Sequence, residues 1–328
     1  MRRFATLIIA SLCLVNVGGA ATAKLEPGWR EAAIDVGGRT RWYRVYQPPK
    51  ARDGAAAVLL LHGGTQSMRK IFRDKAGGTR AWLDVARREG VVLIVPNGTN
   101  RRSGDTAGDN QNWNDLRGDL GADGVDDVAF LRQLVVKQTR SLRLDPQRIY
   151  VTGASNGGMM TYRLLIETPE LFAAGAAFIA NLPEGASRLP KPSRPTPLMI
   201  VNGTADPLVR WEGGMVGRDR GVAVSTRETL DWWIAANRAQ PQVARRESLP
   251  DLNRDDGCRL SLEVHAADRG GAPVWLYTAD GGGHALPSIR YDIADSRIVR
   301  RIIGPVCKDA EGAELAWTFF RANSAATR

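Results

Sequence analysis

The chain has 328 residues, 43% of them apolar and 24% charged, so it can bury a sizeable core and is not built for bulk disorder. Its formal charge is +10, and 38 of its 45 basic residues are Arg. These are scattered and not interleaved with aromatics, which argues against a nucleic-acid surface. No internal repeat or heptad run exists, which excludes solenoids and coiled coils. Residues 1–23 read as a secretory signal peptide: Arg2-Arg3, an apolar run from Phe4 to Val17, then small residues with Ala21-x-Ala23 as the cut site. That run is too short to span a membrane, so no stable membrane insertion is expected. Beyond it the only thiols are Cys258 and Cys307, which in an exported chain suggest one disulfide. Residues 24–328 contain no linker and read as one domain.

In chain order, strands are expected at 31–36 and 40–47 around the Gly37-Gly38 turn, and at Ala56 to Leu61, a continuous apolar run suited to a strand buried on both faces. A helix at 80–89 and a strand from Val91 to Val95 follow. The polar stretch 97–124 holds Asp105, Asp109, Asp115, Asp119 and Asp123, read as solvated loop acids because their spacing fits no EF-hand. Asp126 or Asp127 caps a helix running to about Arg140. A strand from Arg148 to Thr152 leads into a helix from Asn156. Strands at 174–179 and 197–202, a helix at 225–238, strands at 259–265 and 273–278, and a helix at 310–322 complete the chain. Strands alternating with helices give an α/β fold with a mostly parallel central sheet covered by helices on both faces.

Gly153-Ala-Ser155-Asn-Gly157 matches G-x-S-x-G between a strand and a helix, the context that turns a serine into an exposed nucleophile. Serine at its ordinary pKa needs a base. The chain has three His, of which His284, in the Gly-rich loop after the last strand, fits the Ser…Asp…His order of α/β-hydrolases. His62 is read as a hydrogen-bonding loop residue and His265 as a surface or strand-end residue. Asp206, just past the 197–202 strand, is the carboxylate that orients His284, with Asp280 as the rival. His62-Gly63-Gly64 ends the Ala56–Leu61 strand, so the amides of Gly64 and Asn156 are the expected oxyanion donors, with Thr65 the alternative to Gly64. Trp113, Trp211 and Leu286 are candidates for the substrate pocket.

These motifs together resemble the secreted α/β-hydrolases of the polyhydroxybutyrate depolymerase and feruloyl esterase group. The matching stretches are Leu-Leu-His62-Gly-Gly-Thr-Gln, Gly-Val-Asp126-Asp-Val-Ala-Phe-Leu, Arg148-Ile-Tyr-Val-Thr-Gly-Ala-Ser155-Asn-Gly-Gly-Met-Met, Asn-Gly-Thr-Ala-Asp206-Pro-Leu-Val and Gly-Gly-Gly-His284-Ala-Leu-Pro. The resemblance implies a carboxylic-ester hydrolase with the triad Ser155, Asp206 and His284, working on an ester substrate without metal or organic cofactor. Three positions depart from the group: Gly64 replaces a frequent Cys, Arg210 a usual Pro, and Leu286 a Trp that often follows the catalytic His. No separate polymer-binding domain is visible, which favours soluble esters or short oligomers. The expectation is a secreted serine esterase of hydroxyalkanoate esters. The alternatives are a feruloyl esterase, a peptidase or acyltransferase built on the same triad, and a non-catalytic binding protein.

Overall fold

The computed structural model describes residues 26–73, 77–118, 125–293 and 296–324. The signal-peptide segment and Asp119 and Asp123 of the polar stretch therefore lie outside the described residues.

The elements, in order, are β1 (Trp29–Val36), β2 (Arg39–Tyr46), β3 (Ala57–Leu61), α1 (Ala81–Glu89), β4 (Val92–Pro96), α2 (Asp127–Ser141), β5 (Ile149–Ala154), α3 (Asn156–Glu167), β6 (Ala174–Phe178), α4 (Glu184–Ser187), β7 (Leu198–Gly203), β8 (Gly214–Met215), β9 (Val222–Ala223), α5 (Thr226–Asn237), β10 (Arg245–Ser248), β11 (Arg259–His265), β12 (Val274–Asp280), α6 (Arg297–Ile303) and α7 (Gly312–Ala322). Ten strands form one sheet in the order β1-β2-β4-β3-β5-β6-β7-β12-β11-β10. The run from β4 to β12 is parallel, and antiparallel strands flank it at both edges. This is the mostly parallel α/β sheet that the alternation of elements predicts.

Period-two alternation explains how fully apolar strands serve two layers. In β3, Ala57, Leu59 and Leu61 join the core beneath α2, α3 and α5, while Val58 and Leu60 join the core beneath α1 and α7. The second core is strongly aromatic: Tyr150 of β5 stacks on Phe320 of α7 with ring centroids 4.6 Å apart. The β1–β2 hairpin turns at Gly37 and Gly38, both at positive φ, which glycine adopts without a Cβ penalty. At α2 the two candidate caps divide the work. The Asp126 carboxylate accepts from the Ala129 amide, whereas buried Asp127 pairs with buried Arg41 at 2.6 Å and accepts from the Asn114 amide.

Four features lie where the sequence suggests loops. These are the short helix α4, the β8–β9 hairpin, the exposed edge strand β10 and the short helix α6, which buries none of its residues. Cys258 and Cys307 form a disulfide across 49 residues. Closing a loop of that size stabilises by about 4 kcal/mol on the chain-entropy account. Among the described residues no helix is long and apolar enough to cross a membrane.

Candidate active site

The site lies at the carboxyl ends of the parallel strands, where ligands of open α/β sheets gather. The turn between β5 and α3 places Ser155 at φ 55°, ψ −121°, a conformation that L residues rarely hold. Two features keep it there. The Ser155 amide donates to the Phe178 carbonyl, and the Met159 amide donates to the Ser155 carbonyl, each at 2.9 Å. The flanking glycines are a steric necessity: a methyl group on Gly153 would come within 2.4 Å of the Gly157 backbone, and one on Gly157 within 2.4 Å of the Leu61 carbonyl. The G-x-S-x-G pattern thus records how tightly this turn packs against β3.

His284 and Asp206 come together from the ends of β12 and β7. His284 Nδ1 donates to Asp206 Oδ2 at 2.7 Å. The other oxygen, Oδ1, accepts from the Leu208 and Val209 amides at 2.8 Å each, so the buried carboxylate is fixed before it meets the imidazole. Bonding at Nδ1 leaves Nε2 as the imidazole nitrogen available to a hydroxyl. The rival Asp280 is exposed and accepts instead from Thr204 Oγ1. Ser155 and His284 line the same cavity, of about 870 Å³, together with Gly64 and Asn156.

The Asn156 amide opens α3, so it has no acceptor within the helix. The Gly64 amide has no acceptor among the described residues. The alternative, the Thr65 amide, is already taken by Asn112 Oδ1 at 3.3 Å. Among the described residues both amides named from the sequence line the cavity through Gly64 and Asn156 without a hydrogen-bond acceptor.

The other two imidazoles are structural. His62 is buried, with Nδ1 donating to the Gly63 carbonyl at 2.8 Å and Nε2 accepting from the Gly98 amide at 3.0 Å. Burial pushes its pKa down to about 4, so it is neutral near pH 7. His265 ends β11 as expected but is buried, not on the surface, with its ring nitrogens at the Gln240 carbonyl and Glu263.

Two pocket candidates are displaced. Trp113 is 1% exposed, packs against His62 with ring centroids 4.7 Å apart and donates from Nε1 to the His62 carbonyl, so it supports the site from below the cavity wall. Trp211 packs half-buried against the core beside α5 and is not among the residues lining the cavity. Leu286 does line it, alongside Ile71, Leu208, Val216, Ile293 and Ile302.

The loop acids need a correction too. Asp115 is fully buried, not solvated: it accepts from Arg117 Nε and from Asn156 Nδ2, while Asn156 Oδ1 accepts from the Trp113 amide. Asp105 is exposed and Asp109 half-exposed, as expected of loop acids, while Asp109 bonds Ser67 and Arg73 and Asp105 the Ala107 and Gly108 amides. The described part of the polar stretch, 97–118, is pinned by such bonds and brings Asn112 and Arg117 to the cavity. Among the described residues no group of acids, His or Cys could hold a metal ion. Sequence reasoning missed the Asn156 side chain, Asn112 and the hairpin residues Arg218 and Arg220. For the last two, the Gly217-Arg-Asp-Arg-Gly221 spacing was a usable turn signal.

Residues 79–182 match the prolyl oligopeptidase family. A putative esterase, NocK, of Nocardia uniformis subsp. tsuyamanensis is 33% identical over 266 residues, covering 77% of this chain and 73% of that protein. The chain belongs to the α/β-hydrolase esterases. A feruloyl esterase B of Piromyces equi is 29% identical over 49% of this chain and 29% of its own length. A poly(3-hydroxybutyrate) depolymerase of Ralstonia pickettii is 25% identical over 86% of this chain and 57% of its own length. The chain thus spans only part of these last two proteins. Membership makes this α/β-hydrolase a carboxylic ester hydrolase of the depolymerase and feruloyl esterase group, and sets aside the reading as a non-catalytic binding protein.

Proposed function

We propose that this esterase is an exported serine hydrolase of hydroxyalkanoate esters and their short oligomers, with Ser155, His284 and Asp206 as its triad. Ser155 Oγ attacks the ester carbonyl while His284 Nε2 takes its proton. The Asp206 carboxylate holds the Nδ1–H tautomer and stabilises the imidazolium. The Gly64 and Asn156 amides receive the oxyanion, a contribution of about 2.7–4 kcal/mol per donor in comparable sites. His284 then protonates the departing alkoxide, and water activated by the same imidazole releases the acid from Ser155.

The observation that carries this reading is His284, held by the pre-fixed Asp206 carboxylate, lining one cavity with a serine in the rare turn conformation. The Ralstonia depolymerase supports the hydroxyalkanoate class. A hydroxycinnamoyl esterase is the second reading, on the strength of the Piromyces relative. For export, the pattern of residues 1–23 is joined by the Cys258–Cys307 disulfide, a bond that persists in oxidising compartments.

The test is a hydrolysis panel on the purified mature protein: p-nitrophenyl acetate and butyrate, methyl ferulate, hydroxybutyrate oligomers and film, and a matched amide. Turnover of hydroxybutyrate oligomers with ferulate and amide untouched is expected, and Ser155→Ala should lower it about ten-thousandfold or more. Near-normal activity in that variant would remove Ser155 from the mechanism. Cleavage of ferulate alone would move the substrate to the second reading.

A further inference from the structure

The cavity beside Ser155 is strongly basic. Its lining includes Lys70, Arg73, Arg117, Arg218 and Arg220 but, among the described residues, the single acid Asp219. Two of these cations are already committed: Arg117 to buried Asp115, and Arg73 to Asp109. Arg218 and Arg220 are different. Both are exposed at the tip of the β8–β9 hairpin, and neither has a carboxylate partner among the described residues.

Arg220 is also close to the chemistry. A methyl group at Gly64 would lie 3.8 Å from Arg220 Nη1, so the guanidinium lies close over a glycine that lines the cavity. The backbone that presents it is clamped on three sides. The Val222 amide donates to the Arg117 carbonyl, the Gly217 amide to the Leu208 carbonyl and the Val224 amide to the Leu182 carbonyl, at 2.8–3.0 Å. Leu208 is itself a donor to Asp206. The hairpin is thus tied to the triad loop, while its two guanidiniums meet no carboxylate among the described residues. A cation with no carboxylate partner among the described residues, carried on an anchored backbone at the rim of the site, is an arrangement for binding an anion.

We propose that Arg220, assisted by Arg218, recognises a carboxylate on the substrate, so that the preferred ester is a hydroxy-acid oligomer with a free carboxylate end. This rests on the serine-esterase reading above and adds charge selection to it. A neutral polymer surface offers no such group, whereas every short oligomer released from one does.

The experiment measures kcat/KM for a hydroxybutyrate dimer with its carboxylate free and for the same dimer capped as a methyl amide, with p-nitrophenyl butyrate as a neutral reference. The wild type should favour the free acid about tenfold, the scale of one charge-assisted hydrogen bond. Arg220→Ala should bring the ratio of the two dimers near one, and Arg220→Lys should restore part of it. Arg132→Gln, which removes a charge from the outer face of α2, should keep the wild-type ratio. Raising salt from about 0.05 to about 0.5 M should shrink the preference. A wild-type ratio near one would overturn the proposal, and so would an equal loss on both dimers in Arg220→Ala. Hydrolysis of p-nitrophenyl butyrate that Ser155→Ala abolishes keeps the esterase reading standing in either case. A folded wild type that cleaves none of the three would sink both.

Discussion

The nucleophile turn and the hairpin tip face the same cavity and are built in opposite ways. Around Ser155, glycines touch neighbouring backbone, the carboxylate partner is bonded before it meets the histidine, and His62, Trp113, Asn156 and Asp115 are buried beneath. At the hairpin tip, Arg218, Asp219 and Arg220 are exposed and held only by their backbone. Catalytic geometry tolerates little error, so packing over-determines it. Selection by charge needs only a cation within reach, so long side chains on a small anchored hairpin suffice. The two regions should therefore respond to substitution in different kinetic constants.

The largest effect should come from the framework. Asp206→Asn keeps the shape but can present an amide hydrogen to His284 Nδ1, which favours the wrong tautomer for taking the proton of Ser155. A fall in kcat of about ten-thousandfold is expected, as for other serine triads that lose this carboxylate. The ratio between free-acid and amide-capped dimers should survive, because Arg220 is untouched. If Asp206→Asn altered that ratio as much as kcat, the separation between framework and rim would fail.

Asp115→Ala probes the joint between the two regions. Its carboxylate binds Asn156, next to the nucleophile, and Arg117, whose carbonyl receives the Val222 amide of the hairpin. Removal leaves a buried guanidinium without its partner, which typically costs about 3–5 kcal/mol. Urea unfolding should show that loss in the midpoint. Asp115→Asn, which keeps the shape and one acceptor oxygen, should lose less. A change below about 1 kcal/mol in Asp115→Ala would show that Arg117 escapes to solvent and that the joint is looser than its burial implies.

The same contrast explains what could be read from the sequence. Gly153, Ser155, Gly157, Asp206 and His284 obey local rules of sterics and chain order, so the candidate constellation could be named without a fold. The ten-stranded sheet was legible through its apolar strands but not at its far edge. β10 is Arg245-Arg-Glu-Ser248 with every residue exposed, and it exists because it pairs with β11. α6 does carry Ile298, Val299, Ile302 and Ile303 at helical spacing, but seven residues with none buried are too short a run to mark a helix. Trp113 misled for the converse reason. A lone aromatic in a polar stretch suggests a ligand wall, but the stretch folds its tryptophan beneath the site, and only the Asn156 and His62 partners, distant in sequence, determine that.

The smallest expected effect isolates the framework from catalysis through pH. His62 is neutral in the folded protein down to a pKa of about 4, because burial opposes its charge more than the Gly63 carbonyl favours it. In the unfolded chain an imidazole titrates near 6.5. Between those values only the unfolded chain binds the proton, so stability rises with pH across this window and is lost as pH falls from about 6.5 toward 4. At about 1.4 kcal/mol for each pH unit, the window is worth on the order of 3 kcal/mol. Glu263 acts lower: its carboxyl is held down to about 2 against the cost of burial by His265, Arg246 and Arg227, so its stabilisation is lost below about 4.5. Urea midpoints taken at half-unit steps should therefore decline in two stages, the upper one belonging to His62. His62→Gln should lower stability at pH 7 and remove the upper stage. A variant that kept this stage would assign it to another group and leave the buried floor of the site without the proton sensitivity its packing requires.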